Sequence, residues 1–387
     1  MMRTDGRTRV MSLFWNFIVG GVAQYAAMLE GVTARAPISI RSFCVLGPKH
    51  HVNRTLLDQL GDRVVVHRAT PWDTQWIHRL REEMRAWAPD IVMSHGFNSH
   101  FMARIAAVLS DSPFRAVCSY HGLYHAPTPS RRMIGVMYNQ FTEHYIRRRA
   151  CSTIAVAEYC RQYLVGKGAD PSRIEVIHNG ISDLDKDLLA RERLRKEWNI
   201  RSGDLLVGIA SRFDPIKGIA TLVDAFGRVA GRYPQTRLVL IGAGSLDEAL
   251  RAQVASRGLS GRVVFTGFRT DIAACLEAMD VFVLPSLAEA HSISLLEAMR
   301  AGKAIIVTDV GGNTESARHE QEALIVPPAD VAALADAMER LVNDVALRSQ
   351  LGMKARERFL AEFRVDQMVA RTSEWLVHVA AQPVPCR

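Results

Sequence analysis

The sequence lacks paired cysteines, a dinucleotide-binding fingerprint and a clean membrane-spanning run, and each absence excludes a class of protein. Its six cysteines, at positions 44, 118, 151, 160, 275 and 386, are scattered and form no CxxC pair. Most lie in apolar, strand-like runs, which indicates reduced thiols and a cytosolic protein. The GxGxxG pattern is missing, because Asp247 stands where Ile241-Gly-Ala-Gly244 would need its third glycine. That stretch predicts a plain strand-to-helix turn.

The uncharged stretch at 10–29 follows three arginines and imitates a signal peptide or a membrane anchor. Asn16, the pair Gly20-Gly21 and Gln24 interrupt it, and no clean small-residue cleavage site follows. The pattern predicts a strand at 10–18, a glycine turn and a helix at about 22–34. We therefore expect no transmembrane span.

Acidic residues are scarce in the first half of the chain. Residues 1–182 contain 22 Lys or Arg against 13 Asp or Glu, whereas the remainder contains 26 against 27. Such a surface can meet an anionic membrane, an acidic glycan or nucleic acid, although arginines at 147–149 also suit the C-terminal end of a solvated helix. We expect contact with an anionic membrane surface rather than nucleic acid, and hence a cytoplasmic protein at the inner face of the membrane.

Short apolar segments alternate with helical patterns in both halves of the chain. This alternation predicts an α/β protein of βαβ units, with mainly parallel sheets. The length of 387 residues favours two domains. The predicted organisation is a doubly wound domain at 1–182, a polar linker at 183–204, a second such domain at 205–362, and a C-terminal helix at 363–387 that packs back on the first domain.

The stretch at 281–302 carries the strongest signal of a site. An apolar strand at 281–284 leads into a polar loop with Glu289, and a helix with Glu297 in its first turn begins at about Ser294. Open α/β sheets bind ligands at the carboxyl ends of strands, and amides near Ile293 and Ser294 would favour an anion. However, Ser294 and Glu297 also spell a capping box, which would make Glu297 structural.

Three further stretches follow predicted strands. Arg212 and Lys217 lie on a Pro/Gly loop and have the donors to hold a diphosphate, although charges beside a helix start are commonly plain surface residues. The pair Gly20-Gly21 would let the backbone approach a ligand closely. His121 stands at the carboxyl edge of a sheet, where it is either a site residue or a structural histidine.

The sequence offers no convincing metal site. His121 and His125 lack a helical frame and a third ligand nearby. The pair Asp183 and Asp185 has the spacing of a DxD motif, but no strand precedes it and a lysine follows within the run. We interpret that segment as a solvated linker, and we expect neither a metal nor a cofactor.

Together these stretches carry a family resemblance. The matching stretches are Ser211-Arg-Phe-Asp-Pro-Ile-Lys-Gly218, Leu238-Val-Leu-Ile-Gly-Ala-Gly244, Val264-Phe-Thr-Gly267, Asp280-Val-Phe-Val-Leu-Pro-Ser286, Glu289 with Glu297-Ala-Met, Asp309-Val-Gly-Gly-Asn-Thr-Glu315 and Val326-Pro-Pro328. Over 205–345 the chain resembles the glycosyltransferase family 4 (group 1) domain of retaining sugar transferases. Gly20-Gly-Val22, Tyr120-His-Gly122 and Val176-Ile-His-Asn-Gly-Ile181 extend the resemblance more loosely. It implies the GT-B fold, in which two Rossmann-like domains face a central cleft.

The resemblance implies metal-independent, retaining transfer of a sugar from a nucleotide-diphosphate sugar. The acceptor would be a glycan, a lipid-linked molecule or a small molecule. Arg212 and Lys217 would hold the donor diphosphate. Amides near Ile293 and Ser294, with the Gly20-Gly21 turn, would complete the phosphate cradle.

The resemblance also implies roles around the sugar. Glu297 would hydrogen-bond the nucleotide ribose, Glu289 would contact hydroxyls of the transferred sugar, and His121 would lie beside the reacting sugar. After the first glutamate the family usually has glycine and then an aromatic or small residue, whereas Ala290 and His291 stand here. We expect His291 to take part in donor binding, and this segment to decide which sugar fits.

Two other functions agree with the same residues. One is a nucleotide-sugar epimerase or a phosphorylase of the same architecture. The other is a non-catalytic protein that binds glycans or polyanions.

Overall fold

The computed structural model of the chain describes residues 6–15, 37–47, 61–68, 73–110, 113–122, 132–148, 151–185, 187 and 189–382. The glycine turn predicted at Gly20-Gly21, the helix predicted at 22–34 and His125 lie outside the described residues. The chain divides into two compact units. The first unit comprises Met1–Gly180 and Val365–Arg387, and the second unit comprises Ile181–Arg364.

A parallel sheet forms the centre of the first unit. Its strand order is β3-β2-β1-β4-β5-β6-β7, so the order reverses between β1 and β4. The strands are rich in Val, Ile and Met, which suits a sheet that is buried on both faces. They are β1 Thr8–Trp15, β2 Ile38–Leu46, β3 Val64–Arg68, β4 Ile91–His95, β5 Arg115–Tyr120, β6 Ser152–Ala155 and β7 Ile174–Val176.

The described helices of the first unit include one from the end of the chain. They are α1 Gln75–Trp87, α2 Phe97–Leu109, α3 Arg132–Arg148, α4 Glu158–Gly166 and α13 Val365–Ala381. Met368, Leu376 and Val379 of α13 are buried in one core cluster with Val10 of β1 and Ile91 of β4. The sequence predicts a C-terminal helix that packs back on the first domain, and α13 lies in the core of the first unit.

A second parallel sheet forms the centre of the second unit, with strand order β10-β9-β8-β11-β12-β13. Its core lies between the sheet and the helices that flank it, and Phe226 is among its fully buried side chains. The strands are β8 Leu205–Ala210, β9 Thr236–Ile241, β10 Val263–Gly267, β11 Val281–Leu284, β12 Ala304–Thr308 and β13 Leu324–Val326. The helices are α5 Ala190–Glu197, α6 Ile219–Arg232, α7 Asp247–Ser256, α8 Ile272–Ala278, α9 Ile293–Arg300, α10 Asn313–Ser316, α11 Val331–Asn343 and α12 Val345–Glu362.

The segment predicted as a linker, 183–204, belongs to the second unit, so the linker prediction is wrong there. Arg191 and Arg195, one helical turn apart on α5, bind the two carboxylate oxygens of Asp280 at 2.6 and 3.2 Å. Asp280 also accepts a hydrogen bond from the Leu206 amide at 2.7 Å, at the start of β8. Charge-assisted bonds of this kind fix a polar helix to a sheet edge without a large apolar face, which explains why composition alone suggested a linker.

A helix that crosses a bilayer must be both long enough and apolar enough. No helix in the described part of the chain meets both requirements.

Candidate active site

The loop after β8 and the loop after β11 are built against each other in the second unit. Gly218 has a left-handed backbone with φ of 63°, and a Cβ added there would lie 2.0 Å from the carbonyl oxygen of Pro285. The amide of Leu287 donates to the carbonyl of Ile216 at 2.7 Å. Asp214 caps the short turn at Pro215–Lys217 by accepting from the Ile216 amide at 3.2 Å. Gly218 and the Leu287–Ile216 hydrogen bond therefore hold the two loops in direct contact at one edge of the sheet.

This contact places Lys217 against Glu289. The Lys217 ammonium donates to Glu289 Oε1 at 2.6 Å, and both side chains are largely buried, with 17% and 9% of their surface exposed. The Ser286 hydroxyl donates to the same oxygen at 2.6 Å. Glu289 Oε2 has no hydrogen-bond partner among the residues that the structure describes. One carboxylate oxygen is thus fixed, and the other can accept from a ligand.

A third strand end supports this pair. Thr308, the last residue of β12, donates from its hydroxyl to the carbonyl of Ser286 at 2.6 Å. The amide of Gly312 donates to the carbonyl of Ala290 at 3.0 Å. Three consecutive positions of the sheet edge, after β8, β11 and β12, are therefore linked by hydrogen bonds, as expected where parallel strands end side by side.

Arg212 lies at the surface of the loop after β8. Its side chain is 74% exposed, and its nearest carboxylate in the described structure is Asp214, at 3.9 Å. An exposed pair at this distance contributes little to stability. The guanidinium is accordingly available to a ligand anion.

Glu297 lies in the second turn of α9, and the capping-box interpretation is wrong. The N-cap of α9 is Ser292, whose hydroxyl accepts from the Leu295 amide at 3.4 Å. Within the described chain no group hydrogen-bonds the Glu297 carboxyl. Burial raises the pKa of Glu297 to about 7, although Arg300 opposes the rise. A carboxyl of this kind can both donate and accept hydrogen bonds near neutral pH.

The N-terminus of α9 presents two free amides. The N–H groups of Ile293 and Ser294 have no acceptor among the residues described. Both residues are partly exposed. Together with the macrodipole, such amides favour an anion at this end of the helix.

His291 is placed differently from its neighbours. Its side chain is buried, its Nε2 lies 3.2 Å from the Ser316 hydroxyl, and its ring centroid is 5.6 Å from that of Phe363. The structure thus packs this ring into the second unit and does not group it with Lys217 and Glu289. Ala290 does not adopt a positive φ, so the position tolerates a side chain where the family usually has glycine.

His121 belongs to the first unit, where it follows β5. Its Nε2 lies 2.9 Å from the Ser119 hydroxyl and 3.4 Å from Nδ1 of His95, the last residue of β4. Burial lowers the pKa of His121 to about 4. The ring is accordingly neutral at physiological pH.

The structure therefore groups Lys217, Glu289 and Ser286 by direct contact. Gly20 and Gly21 lie outside the described residues and stay predictions. Ser286 was missed from sequence, although its position after β11 follows the same strand-end rule that pointed to Glu289. Among the described residues, no cluster of three or more His, Cys, Asp or Glu side chains could hold a metal.

Family models match most of the chain. A model described as glycosyl transferases group 1 matches residues 190–358, and one described as glycosyltransferase family 4 matches residues 19–183. The two models together span both compact units.

Two curated proteins illustrate the similarity. A UDP-Gal:alpha-D-GlcNAc-diphosphoundecaprenol alpha-1,3-galactosyltransferase of Escherichia coli is 26% identical over 294 residues, which cover 74% of each chain. A GDP-mannose-dependent alpha-(1-6)-phosphatidylinositol monomannoside mannosyltransferase of Mycobacterium tuberculosis is 30% identical over 233 residues, covering 57% of this chain and 60% of that protein.

Solved structures show the same fold. Anabaena Alr3699/HepE in complex with UDP-glucose superposes with a TM-score of 0.83 at 20% identity, covering 96% of this chain and all of that one. WaaG, a glycosyltransferase involved in lipopolysaccharide biosynthesis, superposes with a TM-score of 0.74 at 14% identity over 97% of this chain.

Proposed function

The chain belongs to the group 1 glycosyltransferases of the GT-B fold, and we propose that it transfers a sugar from a nucleotide-diphosphate donor with retention and without a metal. The observation that carries this proposal is the Lys217–Glu289–Ser286 cluster at the carboxyl edge of the second sheet. It combines a cation for a departing diphosphate with a carboxylate oxygen for a sugar hydroxyl.

The leaving diphosphate accumulates negative charge as the glycosidic bond to the donor breaks. Lys217 is held by Glu289, so its ammonium is already in place before the reaction starts. Arg212 is exposed on the same loop, and the free amides of Ile293 and Ser294 supply two more donors. Preorganised donors of this kind stabilise a developing anion by a few kcal/mol, roughly 3 each.

Glu289 is suited to orient the transferred sugar. Its Oε1 is occupied by Lys217 and Ser286, which leaves Oε2 to accept from a sugar hydroxyl. Glu297, on the helix that follows, would bond the nucleotide ribose, and His121 would lie beside the reacting sugar. We expect Glu297→Ala to abolish transfer while the fold remains intact.

Retention is proposed to follow from attack on the same face that the phosphate leaves. In that step the acceptor oxygen bonds to the anomeric carbon, the bond to the diphosphate breaks, and the leaving phosphate takes the acceptor proton. The carboxylates then need not act as the acid and base of a glycosidase. This agrees with Glu289 being ion-paired to Lys217 instead of poised to move a proton.

The first experiment should identify which nucleotide-diphosphate sugar is the donor. The printed names of similar proteins mention UDP-Gal, GDP-mannose and UDP-glucose, so the nucleotide base is not decided by them. A thermal-shift and turnover screen over UDP-, GDP- and ADP-sugars tests the proposal. It is supported by one nucleotide that both raises the melting temperature and is released on addition of an acceptor. It fails if no nucleotide binds.

The rival functions predict other outcomes in the same assay. An epimerase would convert the donor without releasing nucleotide, a phosphorylase would need inorganic phosphate, and a binding protein would turn over nothing. The similar proteins are named as transferases or synthases, which favours transfer.

We also propose that the acceptor is lipid-linked and that the first unit contacts an anionic membrane from the cytoplasm. Two similar proteins act, by their names, on a diphosphoundecaprenol and a phosphatidylinositol acceptor. On α3, Met133, Val136 and Met137 are 72%, 46% and 61% exposed at helical spacing. Exposed apolar side chains in a basic unit suit a peripheral membrane surface.

Vesicle sedimentation tests this surface. The protein should bind vesicles with phosphatidylglycerol more than phosphatidylcholine vesicles, and high salt should weaken the binding. Met133→Ser with Met137→Ser should reduce it, whereas Met353→Ser, at a 57% exposed position of the second unit, should not. Equal binding by both variants would remove α3 as the contact.

A further inference from the structure

Helix α9 contains a buried arginine that forms no ion pair. Arg300 has 8% of its surface exposed, and its guanidinium donates to the carbonyl of Ser182 at 3.1 Å. Within the described part of the chain, no carboxylate lies within ion-pair distance of this guanidinium. Arginines are almost never buried in proteins unless they are paired. The burial of Arg300 therefore indicates a role beyond its one hydrogen bond.

The other carboxylates in this region have cations of their own. Asp183 binds both terminal nitrogens of Arg356, at 2.5 and 2.9 Å. Glu277 accepts from the Lys303 ammonium at 3.4 Å. Glu297, in contrast, has no hydrogen-bond partner among the residues described. It is therefore the carboxylate that remains for the unpaired guanidinium on α9.

The geometry of the helix places these two charges close together. Residues three apart on a helix have Cβ atoms about 5–6 Å from each other, and a long side chain leans towards the preceding turn. Glu297 acts on Arg300 more strongly than Asp183 or Glu277 does, and Arg356 opposes all three carboxylates. Arg300 in turn limits the rise that burial causes in the pKa of Glu297, which is about 7. The two groups thus interact through space without a direct contact.

A charge at this distance differs in its effect from the contact between Lys217 and Glu289. In that contact the ammonium occupies one carboxylate oxygen. A guanidinium beyond hydrogen-bond reach still favours the ionised carboxylate, but it occupies neither oxygen. Glu297 is partly exposed, so a ligand can reach it. A carboxylate with both oxygens available suits two neighbouring hydroxyls, such as those of a ribose.

We propose that Arg300 is a positioning residue that acts as a distant counter-charge for Glu297, favouring the ionised carboxylate while leaving both of its oxygens to the donor ribose. This rests on the proposed function, in which Glu297 bonds that ribose. The hydrogen bond to Ser182 fixes the guanidinium in place. Ribose hydroxyls that donate to the carboxylate favour its ionised form further. Donor binding should therefore release a proton from Glu297 near neutral pH.

Nuclear magnetic resonance of the full chain, labelled with ¹³C at the glutamate carboxyls, measures the titration of Glu297 without a ligand. Loss of the signal in Glu297→Gln assigns it. Arg300→Gln removes the charge and Arg300→Lys keeps it, although both side chains can donate a hydrogen bond. We expect the carboxyl to bind its proton roughly tenfold more tightly in Arg300→Gln, and nearly as in the wild type in Arg300→Lys.

Two results of this titration would overturn the proposal. One is an unchanged proton affinity of Glu297 in Arg300→Gln. The other is the same increase in both variants, which would mean that the charge is not responsible. Arg300→Met, which also lacks the charge, replaces the glutamine variant if that variant does not fold.

Nucleotide binding tests the consequence for the donor site. UDP, GDP and ADP are the probes, and calorimetry measures their affinity at pH 7 and pH 9. With tenfold tighter proton binding, the ionised fraction of Glu297 at pH 7 falls from about one half to about one tenth. We expect Arg300→Gln to weaken binding of the nucleotide roughly fivefold at pH 7 and little at pH 9. Arg237→Met, which removes a largely buried guanidinium from beside Asp204, is the matched control and should weaken neither.

The outcomes separate the two levels. An equal loss of affinity at both pH values in Arg300→Gln would indicate packing alone and overturn the role as a counter-charge. A wild-type chain that binds none of the three nucleotides would end the proposed function, whereas the titration of Glu297 would still decide whether Arg300 is its counter-charge.

Discussion

At the scale of single residues, Lys217 and Glu289 share one hydrogen bond, and each is proposed to contact a different part of the donor. A donor diphosphate near the ammonium would compete with Glu289 for it, while Ser286 keeps the carboxylate in place. In the proposed function, phosphate binding and sugar orientation would thereby be coupled through a single 2.6 Å contact. A change at either residue should affect both.

Lys217→Ala should reduce kcat/KM by roughly 100- to 1000-fold, because it removes a preorganised cation. It should also lower the free energy of unfolding by about 1–3 kcal/mol, since Glu289 is left largely buried without its counter-charge. Steady-state kinetics and urea unfolding measure the two effects. Arg232→Ala, which breaks an exposed pair with Glu339, is the control and should change neither appreciably. Near-normal turnover in Lys217→Ala would show that the assigned role is wrong.

Glu297→Gln tests the buried carboxyl through pH. Burial raises its pKa from an ordinary 4.5 to about 7, so the folded protein binds this proton more tightly than the unfolded chain. Folding is therefore penalised progressively from about pH 4.5 to pH 7, and in full above that. Glutamine does not ionise and escapes this penalty. Relative to wild type, the free energy of unfolding of the variant should therefore rise by about 1–3 kcal/mol as the pH increases from 5 to 8. A pH-independent difference in urea unfolding would contradict the expectation.

At the scale of elements, the loop after β8 depends on a glycine for two reasons that can be separated. Gly218 has φ of 63° and lies against Pro285, whereas Gly258, with φ of 67°, has no atom within 4 Å of an added Cβ. Gly258→Ala should lower the free energy of unfolding by about 1 kcal/mol through backbone strain alone. Gly218→Ala should cost clearly more and also reduce turnover, because the loop after β11 must shift. Thermal unfolding of the two variants isolates the close contact, and similar losses would mean that the loops adapt freely.

The strand ends could be predicted from sequence because buried parallel strands are short, apolar and closely followed by polar loops. The strand expected at 281–284 agrees with β11, Val281–Leu284. The local sequence pattern gave wrong predictions where contacts with residues distant in sequence determine the structure. Ser292 caps α9, although Ser294 and Glu297 have the spacing of a capping box. Asp280 binds α5 through Arg191, although the sequence of this segment is typical of a linker. Similarly, the burial of His291 depends on Ser316 and Phe363, which no local pattern reveals.

At the scale of the whole molecule, the second unit is one continuous segment whereas the first is closed by the end of the chain. Helix α13 inserts Met368, Leu376 and Val379 into the core beside β1 and β4. The first unit is thus complete only when the last residues of the chain have returned to it. Its stability should depend on a helix that is distant in sequence.

Leu376→Ala should destabilise the first unit selectively. Leu376 is fully buried, and removing such a side chain typically costs about 2–5 kcal/mol through lost burial and a residual cavity. Amide exchange in β1 and β4 should then accelerate by roughly 30-fold or more, since about 1.4 kcal/mol corresponds to tenfold. Amides of β8 and β11 should keep their rates, because they belong to the other unit. Leu360→Ala, the same substitution at a 37% exposed position of α12, is the control and should leave β1 and β4 unchanged. Equal acceleration in both sheets would show that the two units unfold together, and α13 would then stabilise the molecule as a whole.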